Sequence, residues 1–381
     1  MADARTWLGV WAAVAVSASP LGAQRVWRSN LYPYLSYSTT DGLWAAAHYG
    51  LTSPLGSTDR PELDAAALSL DVGASTQGSY ALSVGARAPA YWDDWRLALT
   101  LTAARDNRLG FFGLGNDTPF ARDSVTTTAP YFYRVSRTYS AARATIQRRV
   151  VGPLRVLAGA SLERTDFRSL PGQSVFRRDV ASGIVDSTTI PFTAGTARAG
   201  VILDTRDHEL DPHGGLMLEG LFATGSGYTR TTAAARIYVH PIERLILAAR
   251  LAGEGMGGSP PLAAQLSMES SERAFVAVGG YYSLRGFYDA RFVGPDKLVG
   301  GLEARYALLW APSVLEVLIV GFYDAGRVFA PGERFRLTTA GLHGGGGGEL
   351  AVRFLRNSLL VLGVGAGPEG VQVIFGTQWS Y

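Results

Sequence analysis

Five histidines and one run of acidic residues are the side chains of this sequence best suited to bind a metal or move protons. No two histidines have the helical spacing of a zinc site. Asp207, His208, Glu209 and Asp211 cluster within DTRDHELDPHGG at 204–215. Because short acidic side chains beside glycine and proline cap backbone groups in turns, we interpret this run as a turn. The histidines are His48, His208, His213, His240 and His343.

Two further motifs have the composition of catalytic loops but lack an essential part. Five consecutive glycines, Gly344 to Gly348, are not followed by the lysine and hydroxyl residue of a phosphate loop. The run from Thr224 to Tyr228, TGSGY, is typical of a hairpin turn rather than of a nucleophile elbow. The chain has no cysteine, which excludes disulfides, thiolate metal sites and cysteine nucleophiles. We therefore predict a protein that is not an enzyme and has no catalytic residues, cofactor or metal.

The charge of the chain is small and is carried almost entirely by arginine on the basic side. Lysine and arginine total 35, only Lys297 is a lysine, and the formal net charge is +3. A nucleic-acid-binding surface requires a stronger basic excess, so we expect no nucleic-acid partner.

Most of the sequence alternates between apolar and polar residues with a period of two. In 298–308, Leu302, Ala304 and Tyr306 share one face, and Glu303 and Arg305 share the other. Successive side chains of a strand point to opposite faces, so each such segment has one apolar and one charged face. Ten residues tilted by about 45° span about 24 Å, close to the apolar band of an outer-membrane barrel.

We predict an all-β fold, a transmembrane antiparallel β-barrel of about 16 strands that occupies residues 24–381. A closed sheet is the β-structure that leaves no unpaired edge in lipid. Short turns follow most even-numbered strands and long loops follow several odd-numbered ones, as in outer-membrane barrels. An even number of strands places both termini in the periplasm. The predicted strands are 32–39, 43–52, 65–74, 80–88, 95–105, 139–149, 154–166, 193–204, 214–223, 229–240, 245–255, 297–308, 314–325, 340–354, 358–366 and 371–381.

The N-terminal segment, residues 1–23, has the features of a secretory signal peptide. Arg5 precedes an apolar run from Trp7 to Ala18, and small residues end at Ala23. The run is too short to cross a bilayer as a helix. We expect export and cleavage near Ala23.

A series of motifs in one order resembles a known family. Residues 279–309 read GGYYSLRGFYDARFVGPDKLVGGLEARYALL, residues 321–329 read GFYDAGRVF, and residues 342–354 read LHGGGGGELAVRF. With FFGLGNDTP at 111–119 and the DTRD motif, they resemble the bacterial surface antigen domain. That domain is the barrel of the outer-membrane-protein assembly factors (Bam and Tam) and of two-partner secretion transporters.

The resemblance implies that the long loop 256–296 folds back into the barrel and places an arginine against acidic residues of the wall. The motif matches Ser283, Leu284, Arg285, Gly286 and Phe287, and the implied acceptors are Glu303 and Asp324. The alternation of their strands independently places both carboxylates on the inner face. A carboxylate in a narrow lumen needs a partner, and arginine offers a planar set of donors.

The last strand carries aromatic residues, Phe375, Trp379 and Tyr381, whose alternation predicts one lipid-facing row. They resemble the C-terminal insertion signal of outer-membrane barrels, so the cellular assembly machinery is an expected partner.

The function that the resemblance implies is insertion or translocation of proteins at the cell outer membrane. One expected departure is the absence of the periplasmic polypeptide-transport-associated (POTRA) domains that receive clients in this family. The expected partners are therefore outer-membrane lipid and either a separate periplasmic docking protein or client outer-membrane proteins. A passive, porin-like solute channel with a loop-plugged, arginine-lined lumen is the alternative, and an outer-membrane hydrolase is a weaker one.

Overall fold

The computed structural model describes residues 27–38, 41–55, 62, 64–276, 278–311, 314–330, 332, 333, 335–354 and 358–381. The predicted signal peptide, residues 1–23, lies outside these residues. Within the described chain, neither helix is long and apolar enough to cross a membrane.

Of the eighteen strands in the described part of the chain, sixteen form one antiparallel sheet in chain order, and two short ones between β11 and β14, described below, pair with each other. The strands are β1 (Arg28–Ser38), β2 (Gly42–Pro54), β3 (Asp64–Ser75), β4 (Tyr80–Ala88), β5 (Trp95–Gly110), β6 (Arg134–Val151), β7 (Leu154–Ser169), β8 (Phe192–Asp204), β9 (Gly215–Gly225), β10 (Tyr228–Ile242), β11 (Leu245–Gly258), β14 (Asp296–Ala311), β15 (Leu315–Phe329), β16 (His343–Phe354), β17 (Ser358–Gly367) and β18 (Gly370–Gly376).

The sheet curves into a barrel, and its first and last strands, β1 and β18, contact each other. The predicted all-β, sixteen-stranded barrel is therefore confirmed. Alternation along β14 shows the two faces clearly: Leu302 and Leu308 are exposed on the outside, whereas Glu303 and Arg305 are buried in the lumen, the interior of the barrel.

The connection between β11 and β14, residues 259–295, is the longest. It contains a short helix α2 (Leu262–Gln265) and a two-residue hairpin, β12 (Ser267–Met268) with β13 (Phe275–Val276). We call residues 259–295 the inserted loop, because its middle part lies in the lumen. The hairpin is an element that the sequence pattern did not predict.

A hydrophobic cluster, which we call the dome, joins three long connections at the barrel end opposite the termini. Phe111 and Phe112 follow β5, Phe176 lies on helix α1 (Val175–Ala181) between β7 and β8, and Leu262 and Val293 belong to the inserted loop. The rings of Phe111 and Phe176 meet edge to face with centroids 5.4 Å apart. The dome covers this end of the barrel with packed side chains.

The last strand is shorter than the alternation predicts. β18 ends at Gly376, not at residue 381, and residues 377–381, which we call the tail, leave the sheet. Trp379 and Tyr381 are buried. The prediction that these two rings face lipid is therefore wrong, for reasons given with the site below.

Candidate functional site

The tip of the inserted loop, residues 279–287, is a tight turn that is stabilised by side chains of the motif. The hydroxyl of Ser283 accepts a hydrogen bond from the backbone N–H of Gly279 at 2.8 Å and donates one to its carbonyl at 3.0 Å. Leu284 and Phe287 are buried against Val299 of β14 and Val328 of β15. These contacts fix the backbone on both sides of Arg285.

Arg285 binds three carboxylates that belong to three adjacent strands. Its Nε and Nη2 donate to the two oxygens of Asp324 at 2.7 and 2.9 Å. Its Nη1 donates to Glu303 at 2.6 Å and to Glu349 at 3.3 Å. The guanidinium also lies 3.7 Å from the ring centroid of Phe322. Burial would lower the pKa of Arg285, but Glu303, Asp324 and Glu349 raise it above its usual value, so the charge is held firmly.

The structure thus places Glu303 and Asp324 together around Arg285. Glu349 is a third acceptor that the motif comparison did not include. The inward position of Glu349 on β16 follows from alternation, but its approach to Arg285 depends on how far across the lumen the loop reaches.

Glycines on both sides of the contact allow the loop backbone to approach the wall. A Cβ on Gly286 would lie 2.7 Å from the carbonyl oxygen of Ala366, and a Cβ on Gly345 would lie 2.8 Å from the same atom. Such distances are too short for a carbon atom, so neither position has room for a side chain. Within the run Gly344 to Gly348, Gly345 is the glycine that meets the loop, because an added Cβ there would also lie 3.2 Å from the Cα of Gly286.

The tail lies in the lumen next to the Arg285 site. Ser380 Oγ donates to Glu303 at 2.8 Å, and Arg305, which also pairs with Glu303 at 2.6 Å, lies over the ring of Trp379 at 4.0 Å. The indole N–H of Trp379 donates to Asp211 at 2.7 Å. These polar and cation–π partners explain why the aromatic tail turns inward rather than to lipid. Phe375 keeps the outward parity of Val371 and Val373 on β18 and is half-buried.

Besides Arg285, which we call the first anchor, two acidic residues form a second anchor of the inserted loop. The sequence analysis did not identify this second anchor. Glu269 pairs with Arg143 of β6 and with Arg198 of β8, and Arg230 lies 3.7 Å away. Glu272 pairs with Arg206 at 2.7 Å and with Arg236 at 2.6 Å. The inward parity of Arg143, Arg198, Arg230 and Arg236 is visible in the sequence, but no periodicity marks the loop acids that meet them.

The arginines of the second anchor keep the carboxylate of Glu272 ionised. Burial alone would raise this pKa, but the guanidinium groups of Arg236 and Arg206 lower it to about 2. The carboxylate therefore stays ionised throughout the neutral and mildly acidic range.

The connection between β8 and β9, residues 205–214, lies across the terminal end of the barrel. Glu209 pairs with Arg96 of β5, Arg206 reaches Glu272 of the inserted loop, and Asp211 pairs with Arg353 of β16. Asp207 accepts hydrogen bonds from the backbone N–H groups of His208 and His213, as expected of a turn. Within the described residues, no group of three or more histidine or acidic side chains is arranged to hold a metal ion.

Comparison with known proteins agrees with this architecture. Residues 64–367 match the model of the Omp85 superfamily domain. The fold is similar to that of BamA from Haemophilus ducreyi lacking POTRA domains 1–3, with 12% identity, a TM-score of 0.55 and coverage of 91% of this chain and 68% of that one. It is also similar to CdiB from Escherichia coli, with 12% identity, a TM-score of 0.56 and coverage of 94% and 61% respectively.

No sequence among the curated proteins matches the chain. At 12% identity the two solved structures support the fold alone, whereas the family match covers most of the sequence. The family expected from the SLRGF, FYDAG and DTRD motifs is confirmed: the chain is an outer-membrane β-barrel and belongs to the Omp85 superfamily.

Proposed function

We propose that this barrel assists the insertion of proteins into the outer membrane or their translocation across it, with the inserted loop as a displaceable plug. One observation carries the proposal: Arg285, a loop residue, is held inside the barrel by Glu303, Asp324 and Glu349 of the wall. Breaking a buried ion pair is costly unless another group takes over each charge, so a client that offers replacement partners can release the loop.

The junction between β1 and β18 supports the same role. β18 has seven residues and β1 has eleven, so the last strand can pair with only part of the first. An incompletely paired strand offers backbone donors and acceptors to another chain. We propose that a client strand adds to the sheet at this junction, and that both termini lie in the periplasm.

The C-terminal aromatic residues also enter the proposal. Before the barrel closes, Phe375, Trp379 and Tyr381 are accessible on an extended segment, and we propose that the assembly machinery reads them at that stage. The inward position of Trp379 and Tyr381 then belongs to the folded protein.

The test is an insertion assay in lipid vesicles in which a cleavable cross-link holds the inserted loop to the barrel wall. The chain has no cysteine, so a cleavable reagent can join the double variant Ser271→Cys and Glu219→Cys, two residues in hydrogen-bond contact. We expect vesicles that contain the parent protein to fold more of an added client barrel than vesicles that contain an unrelated closed barrel. Cross-linking should abolish the difference, and cleavage of the reagent should restore it.

Two results would count against the proposal. Equal client folding with the parent and with the unrelated barrel would remove the assembly role. Equal activity before and after cleavage would show that the loop does not need to move.

A further inference from the structure

The inner wall formed by β6 to β11 contacts the main chain of the inserted loop as well as its side chains. Arg143 and Arg198 donate to the carbonyl oxygen of Ser270 at 3.0 and 3.4 Å, and Arg230 donates to that of Ser267 at 3.1 Å. The wall thus satisfies backbone acceptors of residues 267–272, with sequence SMESSE, which run from β12 into the turn of the hairpin.

The same wall accepts from backbone donors of that segment. Glu254 accepts the N–H of Glu269 at 2.8 Å, and Glu219 accepts the N–H of Ser271 at 2.9 Å. Alternating contacts to N–H and C=O groups are a feature of peptide recognition, because a phosphate or a free carboxylate has no donor to offer Glu219 or Glu254.

The side chains of the segment supply charge selectivity. Among the described residues, Glu269 is the only carboxylate paired with Arg143 or Arg198, and Glu272 is the only one paired with Arg236. The Nε–H groups of Arg143 and Arg198 are buried and have no hydrogen-bond partner in the described part of the chain. If the loop leaves, Arg143, Arg198 and Arg236 lose the carboxylates that pair with them in the described part of the chain, and they present three positive charges to the lumen.

We propose that this strip of wall is a binding site for a short acidic peptide segment in this strand-and-turn conformation, and that segment 267–272 is its resident occupant. We call the strip the arginine wall: Arg143, Arg198, Arg230 and Arg236, with Glu219 and Glu254. This inference rests on the proposed displacement of the loop. When the loop is displaced, a client segment with acidic side chains replaces SMESSE on the wall. The resident segment keeps the site closed to weaker ligands, because a tethered ligand acts at high effective concentration.

The test measures binding of a fluorescent peptide, SMESSE, to the purified full chain in detergent by anisotropy. The double variant Glu269→Gln and Glu272→Gln weakens the resident segment, and we expect it to bind the peptide at least about tenfold more tightly than the parent does. The peptide SMQSSQ should bind that variant at least about tenfold more weakly than SMESSE. Adding Arg198→Gln and Arg236→Gln to the variant should abolish binding.

A second variant, in which a glycine–serine linker replaces residues 266–276, covers the case in which the neutralised loop still fills the site. Heat-modifiable gel migration verifies that each variant is folded. Absence of binding to both folded variants, or equal affinity for SMESSE and SMQSSQ, would overturn the proposal. Displacement of the peptide by inorganic phosphate, but not by chloride at equal ionic strength, would also overturn it, because the site would then recognise an anion and not a peptide.

The binding measurement uses no lipid and no client barrel. A negative binding measurement therefore does not determine the result of the insertion assay. A negative insertion assay likewise does not determine whether the peptide binds.

Discussion

At the scale of single residues, Arg285 and Glu272 are charged contacts of opposite sign that hold the inserted loop against the wall. Arg285 is buried and satisfied by three acceptors on β14, β15 and β16. At Glu272 the charges are reversed, because a carboxylate of the loop lies between the guanidinium groups of Arg206 and Arg236. The loop therefore carries a cation to an acidic part of the wall and an anion to a basic part.

Replacing Arg285 by alanine should destabilise the folded barrel by about 3–5 kcal/mol, because three buried carboxylates lose their common partner. The measurement is the free energy of unfolding in urea, followed by tryptophan fluorescence in lipid vesicles. Arg168→Ala is the control: this side chain is 77% exposed and pairs with Asp166, so its loss should cost less than about 1 kcal/mol. Equal losses for the two variants would show that Arg285 has no special role in stability.

The three acceptors of Arg285 should not be equivalent. Asp324 accepts two hydrogen bonds from the guanidinium at 2.7 and 2.9 Å and a third from the backbone N–H of Arg285 at 3.2 Å, whereas Glu349 accepts one from the guanidinium at 3.3 Å. In double-mutant cycles of unfolding free energy, Arg285→Ala should couple more strongly to Asp324→Ala than to Glu349→Ala, within a range of about 0.5–3 kcal/mol. Strict additivity for the pair Arg285 and Asp324 would contradict the bidentate contact.

Protonation of Glu272 at acidic pH should weaken its ion pairs with Arg206 and Arg236 in the second anchor. Its pKa in the folded protein is about 2, below the ordinary value of 4.5, so its contribution to loop docking is complete above about pH 4.5 and is lost as pH falls toward 2. Hydrogen exchange of residues 267–276, corrected for the intrinsic effect of pH, should accelerate across this window in the parent. Glu272→Gln should already exchange faster at pH 7 and show a smaller change, and identical profiles would contradict the assignment.

At the scale of elements, β18 and the tail have separate tasks. β18 pairs with β17 from Gly370 to Gly376, whereas residues 377–381 contact the lumen wall, the connection 205–214 and the loop tip. Sheet closure therefore depends on the strand, and internal packing depends on the tail.

Two deletions distinguish these tasks when the chain is refolded in vesicles. Removing 377–381 should preserve heat-modifiable migration, because all sixteen strands keep their pairing. Removing 370–381 should abolish it, because β17 would be left as an open edge in lipid. Loss of migration in the shorter deletion would show that the tail is needed for closure itself.

At the scale of the whole molecule, the dome, the inserted loop, the tail and the connection 205–214 obstruct the lumen. The loop is linked to the dome through Val293 and to the connection 205–214 through the pair Glu272–Arg206 at the terminal end. A cavity of about 260 Å³ remains between the loop, the wall and β18, lined among others by Asp106, Arg137 and Tyr281. This arrangement favours a closed barrel over an open pore.

Single-channel recordings in planar bilayers should therefore show small, flickering conductance for the parent. Arg285→Ala and Glu272→Gln should each raise the mean conductance modestly, because the other anchor still holds the loop and Glu269 remains paired in both variants. The double variant should exceed the sum of the two increases. A large, steady conductance of the parent would instead favour the passive channel considered from the sequence.

Much of this architecture could be predicted from the sequence because strand alternation is a local property. The period of two specified which residues of each strand face lipid, and thereby placed Glu303, Asp324 and the wall arginines inside. The family motif then identified Arg285 as the partner of the two carboxylates. Neither step requires knowledge of which strands oppose each other across the lumen.

The tertiary structure alone decided which groups meet across the lumen and where the tail lies. Glu269 and Glu272 belong to an irregular loop, so no periodicity links them to arginines on β6, β8 and β10. Trp379 and Tyr381 alternate as lipid-facing residues would, and an aromatic ring can leave water either in lipid or in a packed lumen. The inward choice follows from Arg250 and Arg305 beneath their rings and from Asp211, which accepts the indole N–H that lipid would leave unsatisfied.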